Sequence, residues 1–401
     1  MPGPMEGVKV VEIGVWVAGP AAGGILADWG ADVVKIEPPG IGDPARTFQR
    51  MLGADLPFNP VFENDNRSKR SIVLDLAKQG GRELALELID GADVFVTNVR
   101  AKALARLGLD SEALLARNPR LVYGMISGYG LEGPDADRAA YDIAGFWARS
   151  GIAASLTSPG QHPPFQRGGM GDHNAGLAAA GAISAALFAR EKTGKGQMVS
   201  TSLLREGIYT LSFDLSLGAR FGVPLQVADR KSMGNPCINN YADKDGRWFW
   251  IVGLEAERHW PPLARAVGHP EWIEDPRFVG VAERAQNATV LIAELDAIFA
   301  TRTREEWSEI FDTEEDLWWA PVLTSEEVLA DPQVLASGGL VAVPDGEGTT
   351  LLPATPCDFH GTPWAPRSMA PDHGEHSDEI LRELGRNDEQ IAALREASLV
   401  V

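Results

Sequence analysis

Six short apolar runs constrain the fold of this chain more than any other feature. They are rich in Val and Ile, helix-length segments separate most of them, and they occupy residues 8–13, 31–37, 71–76, 92–97, 121–127 and 197–202. Short runs of this kind are typical of strands buried on both faces, as in parallel sheets. Because strands and helices alternate, the pattern predicts an α/β fold with a doubly wound parallel sheet.

The first two runs and the segment between them predict a βαβ unit, with a helix that begins near Pro20 and ends near Gly30. In an open α/β sheet, ligands bind outside the carboxyl ends of the strands. Glu37 lies where a ribose-binding acid would lie in a dinucleotide site, but the glycines between positions 14 and 24 lack the Gly-x-Gly-x-x-Gly spacing. The unit therefore predicts a ligand site at the carboxyl ends of these strands, but it gives little support to NAD as that ligand.

The chain of 401 residues is long enough for two domains. Seven of its 11 tryptophans lie between Trp248 and Trp319, where Asp245-Gly246 separates two strand-like runs. An Asp-Gly pair between such runs is typical of a β-hairpin. We therefore predict a smaller α+β domain over residues 220–325.

Composition excludes several classes of partner and site. The net charge is −20, which argues against nucleic acid or an anionic membrane as a partner. The two cysteines, Cys237 and Cys357, form neither a disulfide framework nor a metal-binding spacing and suit a reducing compartment. His373 and His376 lack a third ligand nearby, so no metal site is expected. With no apolar run near 18 residues and no signal-peptide pattern, a cytoplasmic location is predicted.

A glycine-rich segment, residues 168–176, precedes a helix of small residues and contains one acid, Asp172. A carboxylate at a helix start accepts hydrogen bonds from free backbone N–H groups and is stabilised by the helix dipole, so Asp172 is expected to be ionised. Two interpretations stay open from this pattern alone. Asp172 is either only the N-cap of the helix or a carboxylate nucleophile toward an activated acyl group.

Basic residues cluster in two predicted loops of this acidic chain. The clusters are Arg67, Lys69 and Arg70, and Arg100, Lys102 and Arg106. Such clusters at the edge of a parallel sheet are candidate phosphate-binding sites. The alternative is that they only solvate the loops.

Several motifs occur in a specific order over nearly the whole chain. They are Ala18-Gly-Pro20, Gly30-Ala-Asp-Val-Val-Lys-Ile-Glu37, Asn66-Arg-Ser-Lys-Arg-Ser71, Asn98-Val-Arg100, Arg106-Leu-Gly-Leu109, Ala140-Tyr-Asp142, Gly171-Asp172, Thr193-Gly-Lys-Gly-Gln197 and Gly374-Glu-His376. Together they resemble the family III CoA-transferases, a family that includes carnitine and formyl-CoA transferases and α-methylacyl-CoA racemases.

The resemblance implies a Rossmann-like large domain formed by both chain ends, residues 1–219 and 326–401, with the small domain between them. It also implies a homodimer in which each chain threads through a ring formed by the other. Coenzyme A would be a substrate, and no permanently bound cofactor is expected.

For the site, the resemblance implies that Asp172 is the catalytic aspartate, which forms an acyl-aspartyl anhydride with the donor. Gly169 and Gly171 would offer backbone N–H groups near the developing oxyanion. The CoA-binding residues implied are Arg100 and Arg106, together with Val17, Ala18, Asn98, Arg70, Tyr141 and Asp142.

Two departures from the family pattern narrow the activity. Racemases of this family have histidine at the position of Tyr141, so one of the two bases for α-proton exchange is missing here. Formyl-CoA transferases have glutamine at the position of Val17, which argues against formyl or oxalyl substrates. The sequence thus predicts an enzyme that moves CoA from a thioester to a carboxylic acid. The alternatives are a racemase, an intramolecular CoA-transferring isomerase, and a non-catalytic CoA-binding protein.

Overall fold

The structure is a computed structural model that describes residues 3–51, 53, 56, 59–223, 227 and 229–401. It forms two compact units. The first comprises residues 1–156, 163–225 and 336–401, and the second comprises residues 157–162 and 226–335. The domain boundaries predicted at 219/220 and 325/326 remain a prediction about independently folding parts.

The strands are β1 Lys9–Ile13, β2 Asp32–Glu37, β3 Arg70–Val73, β4 Val94–Thr97, β5 Val122–Ser127, β6 Met198–Ser202, β7 Ile238–Ala242, β8 Trp248–Val252, β9 Trp319–Pro321, β10 Leu340–Asp345 and β11 Gly348–Pro353. The α-helices are α1 Ala18–Asp28, α2 Phe48–Met51, α3 Pro60–Asn66, α4 Gln79–Asp90, α5 Ala101–Leu107, α6 Ser111–Arg117, α7 Ile152–Ser155, α8 Met170–Thr193, α9 Leu203–Thr210, α10 Ser212–Phe221, α11 Ala256–Ala266, α12 Val281–Gln286, α13 Ala288–Phe299, α14 Arg304–Phe311, α15 Ser325–Ala330, α16 Pro332–Ala336, α17 Ser377–Glu383 and α18 Asp388–Glu396. A short π-helix, Ile143–Ala148, lies between β5 and α7.

The six predicted strands form one parallel sheet in the order β3-β2-β1-β4-β5-β6. Val10 of β1 is level with Val33 of β2 on one side and with Val94 of β4 on the other. This is the strand order of a Rossmann-like sheet, so the predicted α/β class is confirmed.

Both faces of this sheet are buried, as the continuous apolar runs predict. Val10 belongs to a core that includes residues of α1 and α8, whereas Val11 belongs to a second core that includes residues of α4 and α17. Successive residues of a strand point to opposite faces, so each strand contributes to both cores. Every residue of α1 is buried, which its small side chains permit.

The C-terminal segment completes the first unit. His376 donates its backbone N–H to the carbonyl of Ser71, and Val400 forms an antiparallel bridge with Leu74 beyond the end of β3. Arg367 donates to the carbonyls of Ala27 and Ser68. The last residues of the chain therefore cover the β3 edge of the parallel sheet.

The second unit contains the antiparallel sheet β7-β8-β9 and the tryptophan-rich core. The predicted turn joins β7 to β8, with Gly246 at a φ of 78°. Trp260 and Trp307 are buried with Phe249 in one apolar cluster. The hairpin prediction is confirmed, and most of the tryptophan surface here serves packing. Within the described residues of the chain, no helix is long and apolar enough to cross a membrane.

Candidate active site

The site lies where the strand order of the parallel sheet reverses, between β1 and β4. The chain goes from β1 to β2 and β3 on one side and then crosses to β4 on the other. At the carboxyl end of β4, the amide of Asn98 accepts a hydrogen bond from the Val15 N–H at 2.9 Å and donates one to the Val15 carbonyl at 2.8 Å. These bonds join the loop after β1 to the end of β4 at the edge where such sheets bind ligands.

Trp16 is the most unusual residue of the loop after β1. Its φ of 64° is in the left-handed region, which a bulky side chain adopts only when its surroundings impose it. The Trp16 N–H donates to Asp43 at 2.9 Å, and the indole packs edge-on against Tyr141, with 5.7 Å between the ring centres. Sequence reasoning missed Trp16, although its place directly after the first strand is a usable signal.

A buried cluster of ion pairs contacts the backbone of this loop. Lys35 lies 2.8 Å from Glu12 and 2.9 Å from Asp43, and Lys69 lies 2.7 Å from Glu12; all four side chains are fully buried. Lys35 also donates to the Gly14 carbonyl at 2.9 Å. Burial acts to raise the pKa of Glu12, but the two lysines outweigh it and the net shift is downward. The cluster thus holds ionised side chains under the active-site loop.

Asp172 lies in the first turn of α8 but does not cap it. The helix begins at Met170, its N-cap is Gly169 with a φ of 83°, and Asp172 is the third helical residue, without a capping hydrogen bond. The interpretation of Asp172 as the N-cap is therefore wrong. A glycine occupies the cap because a side chain is strained at this positive φ.

Gly171 brings the start of α8 against the π-helix. A Cβ at this position would lie 2.4 Å from two carbon atoms of Phe146, so only glycine fits. The Gly171 N–H donates to the Asp142 carboxylate at 3.4 Å, and Gln166 donates to the same oxygen at 3.0 Å. Asp142 is buried and links the residue before the π-helix to the start of α8, and it is outside the lining of the two cavities described below.

The surroundings of Asp172 oppose the ionisation that its place at a helix start predicts. Burial raises the pKa of Asp172 to about 7, and the nearby Asp142 carboxylate contributes to the rise. His173 acts in the opposite direction, and Asp65 adds to the upward shift. The helix dipole favours the carboxylate, but two further acids and partial removal from water outweigh it.

Asp172 lines a small cavity at the carboxyl ends of the strands. Its volume is about 120 Å³ and its lining is Val15, Trp16, Ala18, Asn98, Ile126, Ser127, Gly128, Ala140, Tyr141, Asp172 and Leu203. A larger cavity of about 550 Å³ shares Trp16, Asn98 and Tyr141 with it and adds Arg100. The structure thus brings together Asp172, Ala18, Asn98, Tyr141 and Arg100 from the predicted set.

Other predicted residues lie elsewhere. The Arg70 guanidinium reaches Asp32 at the amino end of β2 and also contacts Glu379 and Glu383, all within 3 Å. These three acids hold the Arg70 side chain near the amino end of β2, away from the carboxyl ends of the strands. Arg106 is exposed and donates to the backbone of Lys102.

Val17 is the N-cap of α1, where its carbonyl accepts the Ala21 N–H, and it lines neither cavity. Of the first basic cluster, Arg67 is paired with Asp28 in the interior and Lys69 with Glu12. All three cations of the predicted phosphate site, Arg67, Lys69 and Arg70, thus pair with acids of the same chain, so their positions give that prediction no support. Sequence reasoning missed Glu12 and Lys35, whose signal is a charge inside a buried strand.

A histidine–aspartate pair lies beside Asp172. His173 Nε2 is 3.0 Å from Asp65 Oδ1, and Asp65 is buried at α3. The pair joins residues that are 108 positions apart, so only tertiary structure reveals it. Among the described residues, no group of three or more His, Cys, Asp or Glu side chains could hold a metal ion.

Comparison with known proteins identifies the family. The sequence model of CoA-transferase family III matches residues 5–377. The chain belongs to CoA-transferase family III. The Asp172 site therefore lies in an enzyme of a family that transfers CoA.

Two curated members show how broadly the family resemblance extends. The chain is 31% identical to (R)-2-hydroxy-4-methylpentanoate CoA-transferase of Clostridioides difficile. The 399 aligned residues cover 99% of each chain. It is 36% identical over 308 residues to succinyl-CoA–D-citramalate CoA-transferase of Chloroflexus aurantiacus, which covers 75% of this chain and 73% of that one.

A solved structure agrees with the fold. The CAIB/BAIF family protein of Brucella suis matches with a TM-score of 0.82 at 31% identity, over 96% of this chain and 100% of that one. Fold and family thus agree along nearly the whole length of this CoA-transferase.

Proposed function

We propose that this CoA-transferase moves CoA from an acyl-CoA donor to an acceptor carboxylic acid through a covalent intermediate on Asp172. The observation that carries the proposal is the position of Asp172 in the wall of a cavity at the carboxyl ends of the parallel strands. Among the described residues that line this cavity, no other side chain carries a carboxylate that could act as the nucleophile.

The proposed reaction begins with attack of the Asp172 carboxylate on the donor carbonyl. A C–O bond forms, the C–S bond breaks, and CoA leaves as a thiolate. The thiolate then attacks the aspartyl carbonyl of the anhydride and releases the donor acid as a carboxylate. The acceptor carboxylate attacks the resulting aspartyl-CoA thioester, and the returning thiolate takes the acceptor acyl group from the second anhydride. Asp172 is regenerated as a carboxylate, and no water is consumed.

Three features support this chemistry at Asp172. The first turn of α8 provides a partial positive charge next to the developing oxyanions. The backbone N–H groups of Gly169 and Gly171 are proposed donors to those oxyanions, which for Gly171 requires exchange of its 3.4 Å contact with Asp142. With the pKa of Asp172 raised to about 7, the carboxylate is also a stronger nucleophile than an ordinary one.

The larger cavity is the proposed seat of CoA. Arg100 is an exposed cation in its lining, and among the described residues no carboxylate is paired with it. Arg106, in the last turn of α5, lies outside both cavities. We expect Arg100→Ala to raise KM for the CoA thioester about three- to tenfold, the effect of one phosphate contact. Arg106→Ala, measured in parallel, is the matched control and is expected to leave KM unchanged; equal effects would contradict this seat.

Intact-mass measurement tests the intermediate. The protein is incubated with a panel of donors that includes acetyl-CoA and succinyl-CoA, without acceptor, and then analysed before and after hydroxylamine. We expect a covalent adduct on Asp172 that hydroxylamine removes and that is missing from Asp172→Asn. Transfer of CoA without any adduct, or an adduct that persists in Asp172→Asn, would refute the proposal. Acceptors for the transfer assay include 2-hydroxy-4-methylpentanoate and citramalate, which two relatives use.

The racemase alternative is tested in the same reactions. Tyr141 lines the cavity wall and is 61% exposed, where racemases of the family have a histidine. Without that imidazole, one of the two bases that exchange the α-proton is missing. We therefore expect no deuterium from solvent at the α-carbon of a branched acyl-CoA, as measured by mass spectrometry of the thioester.

We also propose that the chain forms a homodimer. Over Ser212–Phe221, all of which the structure describes, no residue of α10 is buried, although Phe213 and Phe221 are large and apolar. Ile208 and Tyr209 of the preceding helix α9 are also exposed, and several large apolar residues exposed on consecutive helices are typical of an interface. Light scattering after size exclusion should give twice the 43.1 kDa mass of one chain.

A further inference from the structure

The start of α8 separates two cavities, and neighbouring residues face one each. Asp172 lines the small cavity at the strand ends, whereas His173 lines a second cavity of about 440 Å³ with Asp65 and Asn174. His173 is therefore adjacent in sequence to the proposed nucleophile without sharing its cavity. It can act on Asp172 through its charge but does not occupy the space of the acyl group.

Asp65 fixes the orientation of His173. The Nε2 atom lies 3.0 Å from Asp65 Oδ1, and the Asp65 side chain is only 4% exposed while that of His173 is 51% exposed. Asn64 donates to the same Asp65 oxygen at 3.1 Å, so that this oxygen is held between two partners. A buried carboxylate that accepts from an imidazole stabilises the imidazolium, and this hydrogen bond raises the pKa of His173.

The other groups around Asp172 are acidic or neutral. Asp142 faces it from the residue before the π-helix, Asp65 from α3, and the Tyr141 hydroxyl belongs to the same cavity wall. Of the charged groups that act on Asp172 in the described chain, His173 is the cation. Loss of this one positive charge would leave Asp172 with two acids and a low-polarity surrounding.

We propose that His173, held as an imidazolium by Asp65, is a positioning residue that keeps the neighbouring Asp172 in its nucleophilic carboxylate form. The role assigned to it rests on the proposed function of Asp172. His173 transfers no proton in the reaction, since the attack of a carboxylate on a thioester releases a thiolate and requires none.

Two substitutions separate charge from structure. His173→Gln removes the positive charge and keeps a side chain that can bond to Asp65, whereas His173→Lys keeps the charge. His269→Gln is the matched control, because His269 makes a comparable contact of 2.8 Å with Glu271 in the second unit. Thermal unfolding of each variant checks that the fold is retained, and the half-exposed ring of His173 makes a large loss of stability unexpected.

The direct measurement is a ¹³C NMR titration of protein labelled at its aspartate carboxyls, without substrate. The Asp172 signal is the one missing from Asp172→Asn. In His173→Gln its midpoint is expected to rise by about one pH unit, while His173→Lys and His269→Gln stay near wild type. An unchanged midpoint in His173→Gln overturns the proposal, and so does an equal rise in His173→Lys, because charge would then not be the cause.

The kinetic measurement tests the role in catalysis. The donor is one identified by the adduct experiment. The acid limb of the pH profile of kcat/KM is expected to rise by the same one pH unit in His173→Gln. At pH values below the limb, kcat/KM of this variant is then about tenfold lower than that of wild type, and at pH values above the limb the two are equal. A loss of activity that is equal at every pH indicates a structural role and overturns the proposal. If the midpoint moves but no donor forms an adduct, the proposed function fails while the charge coupling of His173 to Asp172 stands.

Discussion

Glu12 and Asp172 are carboxylates of the same unit in opposite electrostatic surroundings. Glu12 is fully buried, yet its pKa is lowered because Lys35 and Lys69 both contact it. Asp172 is less buried, and its pKa is raised to about 7 by burial and by Asp142. The more deeply buried acid is thus the more strongly ionised one, because paired cations outweigh desolvation.

The difference distinguishes a structural carboxylate from a reactive one. The Glu12 carboxylate is ionised and balanced by two bonded lysines, one of which also binds the Gly14 carbonyl of the loop after β1. Glu12 therefore stabilises this loop, and its oxygens are not available to a substrate. Among the residues that the structure describes, no cation is bonded directly to Asp172, so its lone pairs are available to an incoming carbonyl. The substitutions below test this contrast.

The largest effect is expected from Asp172→Asn. Because the amide is a far weaker nucleophile, kcat/KM for CoA transfer should fall at least about a thousandfold. The thermal midpoint should not fall, since no ion pair is lost. A transfer assay with circular dichroism melting measures both quantities, and a variant that retains a tenth of the activity would contradict the assignment.

Glu12→Gln should reverse that pattern. It leaves Lys35 and Lys69 buried without their shared acid, and a broken buried pair costs about 3–5 kcal/mol in the free energy of unfolding. Urea denaturation measures the change. The control is Arg117→Gln, which removes the exposed contact with Asp90 and is expected to have no measurable effect. Equal stability of the two variants would show that the buried cluster is not structural.

The pH dependence of stability should have opposite signs at the two acids. The folded pKa of Asp172 lies above its unfolded value, so its contribution to stability is complete below about pH 4 and is lost as the pH rises through about 7. Asp172→Asn should therefore gain about 1–2 kcal/mol over wild type between those pH values, an estimate reduced for partial exposure. At Glu12 the folded pKa is lowered, so its contribution is lost as the pH falls. Urea denaturation of both variants across pH tests the signs.

Asp142→Asn should give the smallest effect. It keeps an oxygen that can accept from Gln166 and from the Gly171 N–H but removes a negative charge that raises the pKa of Asp172. The acid limb of kcat/KM is expected to move down by about half a pH unit to one unit. A limb that moves up would show that Asp142 acts through geometry and not through charge.

The sequence by itself determined the parallel sheet of the first unit. The apolar runs predicted six parallel strands, and all six are present because a strand buried on both faces has a local signature. The Asp245-Gly246 hairpin was predicted for the same reason, since turn chemistry depends on adjacent residues. Family motifs added Asp172, Asn98 and Arg100, which the structure brings to one crevice.

Only the tertiary structure decided how the charges are used. Arg70 and Lys69 are adjacent in a basic cluster, yet one binds acids at the amino end of the sheet and the other binds Glu12 in the interior. Likewise, the local pattern predicted an ionised Asp172, whereas its pKa depends on Asp142 and Asp65, which are distant in sequence. Electrostatic energy depends on distance in space and on burial, and neither is encoded in the spacing of residues along the chain.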